Sequence, residues 1–106
     1  MAFFDCQSGG TLSGGVSIAK GYTQGGSTVS STFTATKGKF YYVATAANDA
    51  VTRLSVSGSF SEIYSTTSSY WIEKIIVATA DGEITVTGYA NTSSARIRDS
   101  VVELTF

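Results

Sequence analysis

Tyr70-Trp71-Ile72-Glu73-Lys74-Ile75-Ile76-Val77-Ala78-Thr79-Ala80, then Asp81-Gly82, then Glu83-Ile84-Thr85-Val86-Thr87-Gly88-Tyr89-Ala90, is the stretch whose reading decides the fold. Both flanks are rich in β-branched and aromatic residues, which suit a pleated, half-buried surface. Asp-Gly between them is a preferred pair for a two-residue type I′ turn, so the stretch predicts a β-hairpin. With that loop, Ala80 stands opposite Glu83, Thr79 opposite Ile84, Val77 opposite Val86 and Ile75 opposite Gly88. One face then gathers Trp71, Ile75 and Val77 with Ile84 and Val86, and is the expected core side. Tyr70, Ile72, Lys74, Ile76 and Ala78 fall on the other, opposite Thr85, Thr87 and Tyr89.

Working outward, a second hairpin is expected from Val29–Thr36, Lys37-Gly38 and Lys39–Ala46, pairing Phe33 with Tyr42 and Ala35 with Phe40. Asn48-Asp49 marks a further turn, followed by a strand over Val51–Phe60 in which Leu54, Val56 and Phe60 alternate. Ser65–Ser69 reads as a hydroxyl-rich loop. In the last run, Ala95–Phe106, Val102, Leu104 and Phe106 alternate while Ile97 has the opposite parity, so a bulge near Asp99-Ser100 is expected. On the N-terminal side, residues 7–15 and 24–31 have the Gly/Ser composition of flexible segments, with a short strand around Val16–Tyr22 between them. This divides the chain into a loosely organised arm over 1–28 and a domain over 29–106. No window has a helical period with caps. The fold expected is all-β, an antiparallel β-sandwich or jelly-roll of about six or seven short strands with a Gly/Ser-rich N-terminal arm.

Composition limits the chemistry. A chain of 106 residues builds one hydrophobic core and has no second domain to close a cleft. Only 14 % of residues are charged, so Ser and Thr must form much of the polar surface. The net charge is −1 and the basic residues are scattered, which gives neither nucleic acid nor an anionic membrane an electrostatic footprint. Histidine is absent, removing the commonest general base and metal ligand. The lone Cys6 has neither a disulfide partner nor a base to activate it. The first residues lack the basic start and apolar run of a signal peptide, so synthesis in a cytosol is expected.

Asp5, Asp49 and Asp81 read as turn or arm residues, and Glu73, Glu83 and Glu103 as solvent-facing strand positions. Glu62 and Asp99 have no evident partner. No catalytic, cofactor or metal site is assigned, and the chain is read as not an enzyme. The candidate interface or ligand face is Tyr70, Ile72, Lys74, Ile76 and Tyr89, where aromatic and apolar groups would stand exposed around a lysine. Trp71, on the opposite parity, is assigned to the core.

A low-charge, hydroxyl-rich surface suits work outside cells, while the absence of a signal peptide and of disulfides suits folding inside one. Phe33-Thr34-Ala35-Thr36-Lys37-Gly38-Lys39-Phe40-Tyr41-Tyr42 and Ile75-Ile76-Val77-Ala78-Thr79-Ala80-Asp81-Gly82-Glu83-Ile84-Thr85-Val86 resemble small β-sandwich domains of tailed-phage head-decoration, fibre and tail-tip proteins. The resemblance is one of style and spacing over about the last three-quarters of the chain, and carries no functional residue with it. It implies a virion component that acts by assembly: with itself, a trimer being favoured, and with other virion proteins. The alternative is a carbohydrate-binding or receptor-binding module that recognises a host-surface glycan.

Overall fold

The computed structural model describes residues 14–93 and 95–106. Eight strands follow one another: β1 (Gly14–Gln24), β2 (Thr28–Ala35), β3 (Phe40–Ala47), β4 (Val51–Ser57), β5 (Phe60–Thr67), β6 (Trp71–Ala78), β7 (Gly82–Ala90) and β8 (Arg96–Thr105). They form two antiparallel sheets, a five-stranded one in the order β1-β8-β3-β6-β5 and a three-stranded one in the order β2-β7-β4.

The pairing is nested. β1 pairs β8, β2 pairs β7 and β3 pairs β6, so the chain behaves as one long hairpin doubled back near Gly58-Ser59 and wrapped into two layers. That is jelly-roll order, with β5 paired to β6 rather than to β4. Strict alternation produces the two faces of the smaller sheet: β2 buries Val29, Ser31, Phe33 and Ala35 and exposes the residues between them. Its β7 buries Ile84, Val86, Gly88 and Ala90.

The main core holds Phe33, Ala35, Tyr41, Val43, Leu54, Ile72, Ile76, Ile84, Val86 and Val101, with Phe60 packed at its margin. Phe33 and Tyr41 meet across the layers with ring centroids 4.9 Å apart. A smaller cluster of Val29, Ala90, Ala95 and Ile97 closes the other end. Gly88 lets the layers approach between the two clusters, because a Cβ there would lie 2.7 Å from Thr45 Cβ and 2.9 Å from Asp99 Oδ1.

Neither expected hairpin forms. β6 belongs to the five-stranded sheet and β7 to the three-stranded one, so Asp81 sits at a corner where the chain changes layer. A type I′ turn would need a positive φ at Asp81, and no non-glycine residue described has one. β2 and β3 likewise lie in different sheets: Phe33 pairs Ile84 on its own sheet, and Tyr42 pairs Ile75. The two corners brace each other, with Lys37 N–H donating to Asp81 Oδ1 at 2.8 Å and Gly38 N–H to Ala78 O at 2.9 Å.

Other boundaries also move. The short strand expected around Val16–Tyr22 within the 1–28 arm is longer, forming edge strand β1 over Gly14–Gln24, paired with β8 along its length except at a bulge near Ile18. Residues 1–13, with Asp5 and Cys6, lie outside the described residues. Gly58-Ser59 divides the expected Val51–Phe60 strand, and β5 runs into the expected Ser65–Ser69 loop. No bulge interrupts β8 against β3. Ile97, Asp99 and Val101 face inward there, while Val102 and Leu104 face outward.

Candidate functional site

The five residues expected to share a face are dispersed. Ile72 and Ile76 are buried in the main core. Lys74 shares their parity on β6 but is only half-buried, and its ammonium donates to Glu62 Oε1 on the neighbouring β5 at 2.6 Å. Tyr70 is exposed just before β6. Tyr89 lies on the outer face of the other sheet, with the Arg53 guanidinium 4.0 Å above its ring. Trp71, assigned to the core from its parity with Ile75 and Val77, is 47 % exposed. The parity relation holds, but inside and outside are exchanged.

The two outer faces differ in kind. On the three-stranded sheet, Ser30 and Thr87 hydroxyls are 2.9 Å apart and those of Thr32 and Thr85 3.0 Å apart, in a hydroxyl ladder with Ser55 and Ser57 alongside. On the five-stranded sheet the outward residues fall in rows fixed by the register. One row runs Ser61, Val77, Phe40, Leu104 and Gly15, and the next Tyr64, Ile75, Tyr42, Val102 and Ser17. These two rows are apolar and aromatic, and Phe106 adds a ring 5.1 Å from Phe40, edge-on. Phe40, Tyr42, Tyr64, Val77, Val102 and Leu104 are only half-buried, whereas Ile75 at their centre is buried.

The next rows change character. Thr66, Glu73, Ala44, Ser100 and Lys20 form one, and Trp71, Ala46, Arg98 and Tyr22 the other, with Arg96 and Gln24 beyond. Small residues at Ala44, Ala46 and Ser100 leave a hollow of about 400 Å³ walled by Tyr42, Trp71, Glu73 and Arg98. A second hollow of about 460 Å³ adjoins it across Arg98, lined by Lys20 and Tyr22. Tyr22 is 52 % exposed and the Arg98 guanidinium sits 5.4 Å from its ring centroid. Tyr42 hydroxyl donates to Glu73 Oε1 at 2.7 Å. Burial first, then that bond and the carboxylate's charge, push the Tyr42 phenol up, so it remains neutral and fixed.

The carboxylates do not converge. Asp49 accepts from Ala50 N–H at 2.8 Å and Thr92 Oγ1 at 2.9 Å, and Glu103 lies 3.4 Å from Lys39. Glu83 is exposed at the start of β7. Asp99 is 1 % exposed, inside the sandwich beside Thr45, Ser31 and Gly88. Burial pushes it up to about 7, opposed by the Thr45 and Ser31 hydroxyls nearby. Neither hydroxyl completes a hydrogen bond to it, and Thr45 donates instead to Arg98 O at 3.1 Å. Among the described residues no three His, Cys, Asp or Glu side chains group as metal ligands.

A sign of the outer face was present in the sequence. Lys20-Gly21-Tyr22-Thr23-Gln24 and Arg96-Ile97-Arg98 each alternate with period two, which puts their polar members on one side of a strand. The juxtaposition of the two segments required the β1–β8 pairing. No protein-family model, curated protein or solved structure matches this chain.

Proposed function

We propose that the chain is a non-catalytic assembly subunit of a tailed-phage virion, docking through the apolar rows on the outer face of its five-stranded sheet. The observation that carries the docking reading is the contrast between the two outer faces. A solvated antiparallel sheet turns polar residues outward, as the Ser/Thr ladder does. The rows through Phe40, Tyr42, Val102 and Leu104 instead turn apolar groups toward water, the signature of a surface that is covered in use. The virion context draws on the low-charge, hydroxyl-rich composition and the phage-like style of the strands. Jelly-roll order is compatible with capsid and lectin domains alike and by itself selects no function.

Assembly is expected to produce a closed homo-oligomer, since a patch on one copy buries best against the same patch on others around a rotation axis. The test is solution mass by light scattering for the wild-type chain and for Val102→Lys, which puts a charge in the middle of the apolar rows. The wild-type chain should be a discrete oligomer and the variant a monomer with an unchanged far-UV spectrum. A wild-type monomer at every concentration up to the millimolar range, or an oligomer indifferent to Val102→Lys, rejects docking through this face.

A further inference from the structure

We infer that the two hollows adjoining across Arg98, one walled by Trp71 and Glu73 and the other by Tyr22 and Lys20, together form a binding site for a carboxylate-bearing saccharide. Apart from Tyr42, which walls one hollow and also belongs to the apolar rows, its residues lie in the neighbouring rows of the sheet, and it does not rest on the assembly reading.

Three observations converge on it. First, Lys20, Arg96 and Arg98 project from neighbouring positions of β1 and β8 on one face, and none of them makes an ion pair among the described residues. Three of the seven basic residues of a chain with net charge −1 thus stand together without an ion-pair partner, the nearby Glu73 being engaged by Tyr42, which favours an anion brought from outside. Second, Trp71 and Tyr22 end the same row, on β6 and β1, three strand spacings apart. That is about 14 Å, room for two or three pyranose rings lying across the strands. Exposed aromatic rings are suited to stacking on the apolar faces of such rings.

Third, the floor between Trp71 and Arg98 is Ala46, with Ala44 and Ser100 in the adjacent row, so a ring can settle there beside the indole. Tyr42 holds one oxygen of Glu73, leaving the other to accept from sugar hydroxyls, while Arg98 offers a planar fork to a carboxylate.

Trp71 is the chain's one tryptophan and therefore reports on its own site. The full chain would be titrated, with fluorescence detection, against trigalacturonate and sialyllactose, and against maltotriose, lactose and oligothymidylate. At least one carboxylate sugar should give a saturable change, with its neutral counterpart weaker by about tenfold or more. Arg98→Ala should weaken binding by about tenfold or more through loss of the charged contact. Ala46→Phe, which raises the floor and leaves every charge in place, should abolish it. Calorimetry on Trp71→Ala, where the fluorescence signal is lost, should show a similar weakening.

Failure of both acidic sugars to saturate at millimolar concentration overturns the inference. So does equal affinity for a neutral counterpart, or affinity unchanged in Arg98→Ala and Ala46→Phe. Tighter binding of oligothymidylate would assign the patch to single-stranded nucleic acid and overturn it too. Light scattering on the same samples keeps the two readings apart, since oligomer mass should not follow saccharide affinity.

Discussion

Asp99 lies with Thr45 and Ser31 at a polar place in the interior of the sandwich, opposite the close approach at Gly88. Neither of its carboxyl oxygens has a hydrogen-bond partner among the described residues, and its immediate neighbours Thr45, Ser31, Gly21 and Gly88 carry no charge. An ionised carboxylate is costly in such surroundings, so the folded state holds its proton up to about pH 7. The unfolded chain releases the same proton near pH 4. Below that, both states are protonated and Asp99 contributes no pH dependence. Between about pH 4 and 7 the unfolded state binds fewer protons, so stability falls as pH rises, by on the order of 4 kcal/mol in all, and levels off above 7. Asp99→Asn removes this dependence. The stability difference between variant and wild type, from urea titrations, should shift in the variant's favour by that order between about pH 4 and 8, whatever fixed offset the amide introduces. A difference flat with pH would mean that Asp99 is ionised in the native state. From sequence Asp99 could be noted only as a carboxylate without an evident partner. Its burial follows from the inward parity of Ile97 and Val101, which is settled by what β8 pairs with.

At the scale of elements, most strand positions were legible, β5 excepted, and strand pairings were not. The alternation in β2, β3, β6, β7 and β8 is plain in the sequence, and Asp81-Gly82 and Lys37-Gly38 do mark reversals. Turn chemistry, however, states only that the chain bends, and a corner between layers uses the same residue types as a hairpin within one. A single cause underlies the exchange of Trp71 for Ile72, the superfluous bulge in β8 and the misassigned core side of β6. The five-stranded sheet carries apolar residues on both faces in the rows through Phe40 and Tyr42, so the parity rule, which needs one polar side, is ambiguous there. The link between β4 and β5 shows the opposite case, a local constraint that does fix geometry. Gly58 has φ +132°, and a Cβ on it would lie 2.9 Å from both Glu83 O and Ile84 Cγ1. Gly58→Ala therefore combines backbone strain with a clash against β7, and should cost about 2–4 kcal/mol. Ser59→Ala next to it, at an exposed side chain, should stay within about 0.5 kcal/mol. Urea denaturation of the pair measures the contrast. Equal stability of the two variants would show that the link between β4 and β5 relaxes freely.

For the molecule as a whole, the fold class was readable because period-two alternation fills most of the chain, while the nested order was not, because it is a property of distant pairs. Gly14 pairs Thr105, Thr28 pairs Tyr89 and Phe40 pairs Val77, each closing a long loop that nothing local announces. The same separation governs how the chain folds. Contacts of this kind are made only after a large loss of chain entropy, which places refolding in the millisecond-to-second range typical of all-β domains. Slower phases in such proteins commonly come from prolyl isomerisation, over tens of seconds. This chain contains no proline. Its unfolded state therefore ages without acquiring wrong isomers, and refolding should not depend on how long the chain has been unfolded. A double-jump experiment, unfolding in denaturant for a variable delay and then refolding with Trp71 fluorescence as the signal, reads this directly. The amplitude of the folding phase should be constant for delays from about a second to many minutes. Assembly adds at most a phase whose rate varies with protein concentration and not with delay. An amplitude that drains with delay into a slower, concentration-independent phase would break this expectation. It would place a slow isomerisation in the unfolded chain that its composition gives no reason to contain.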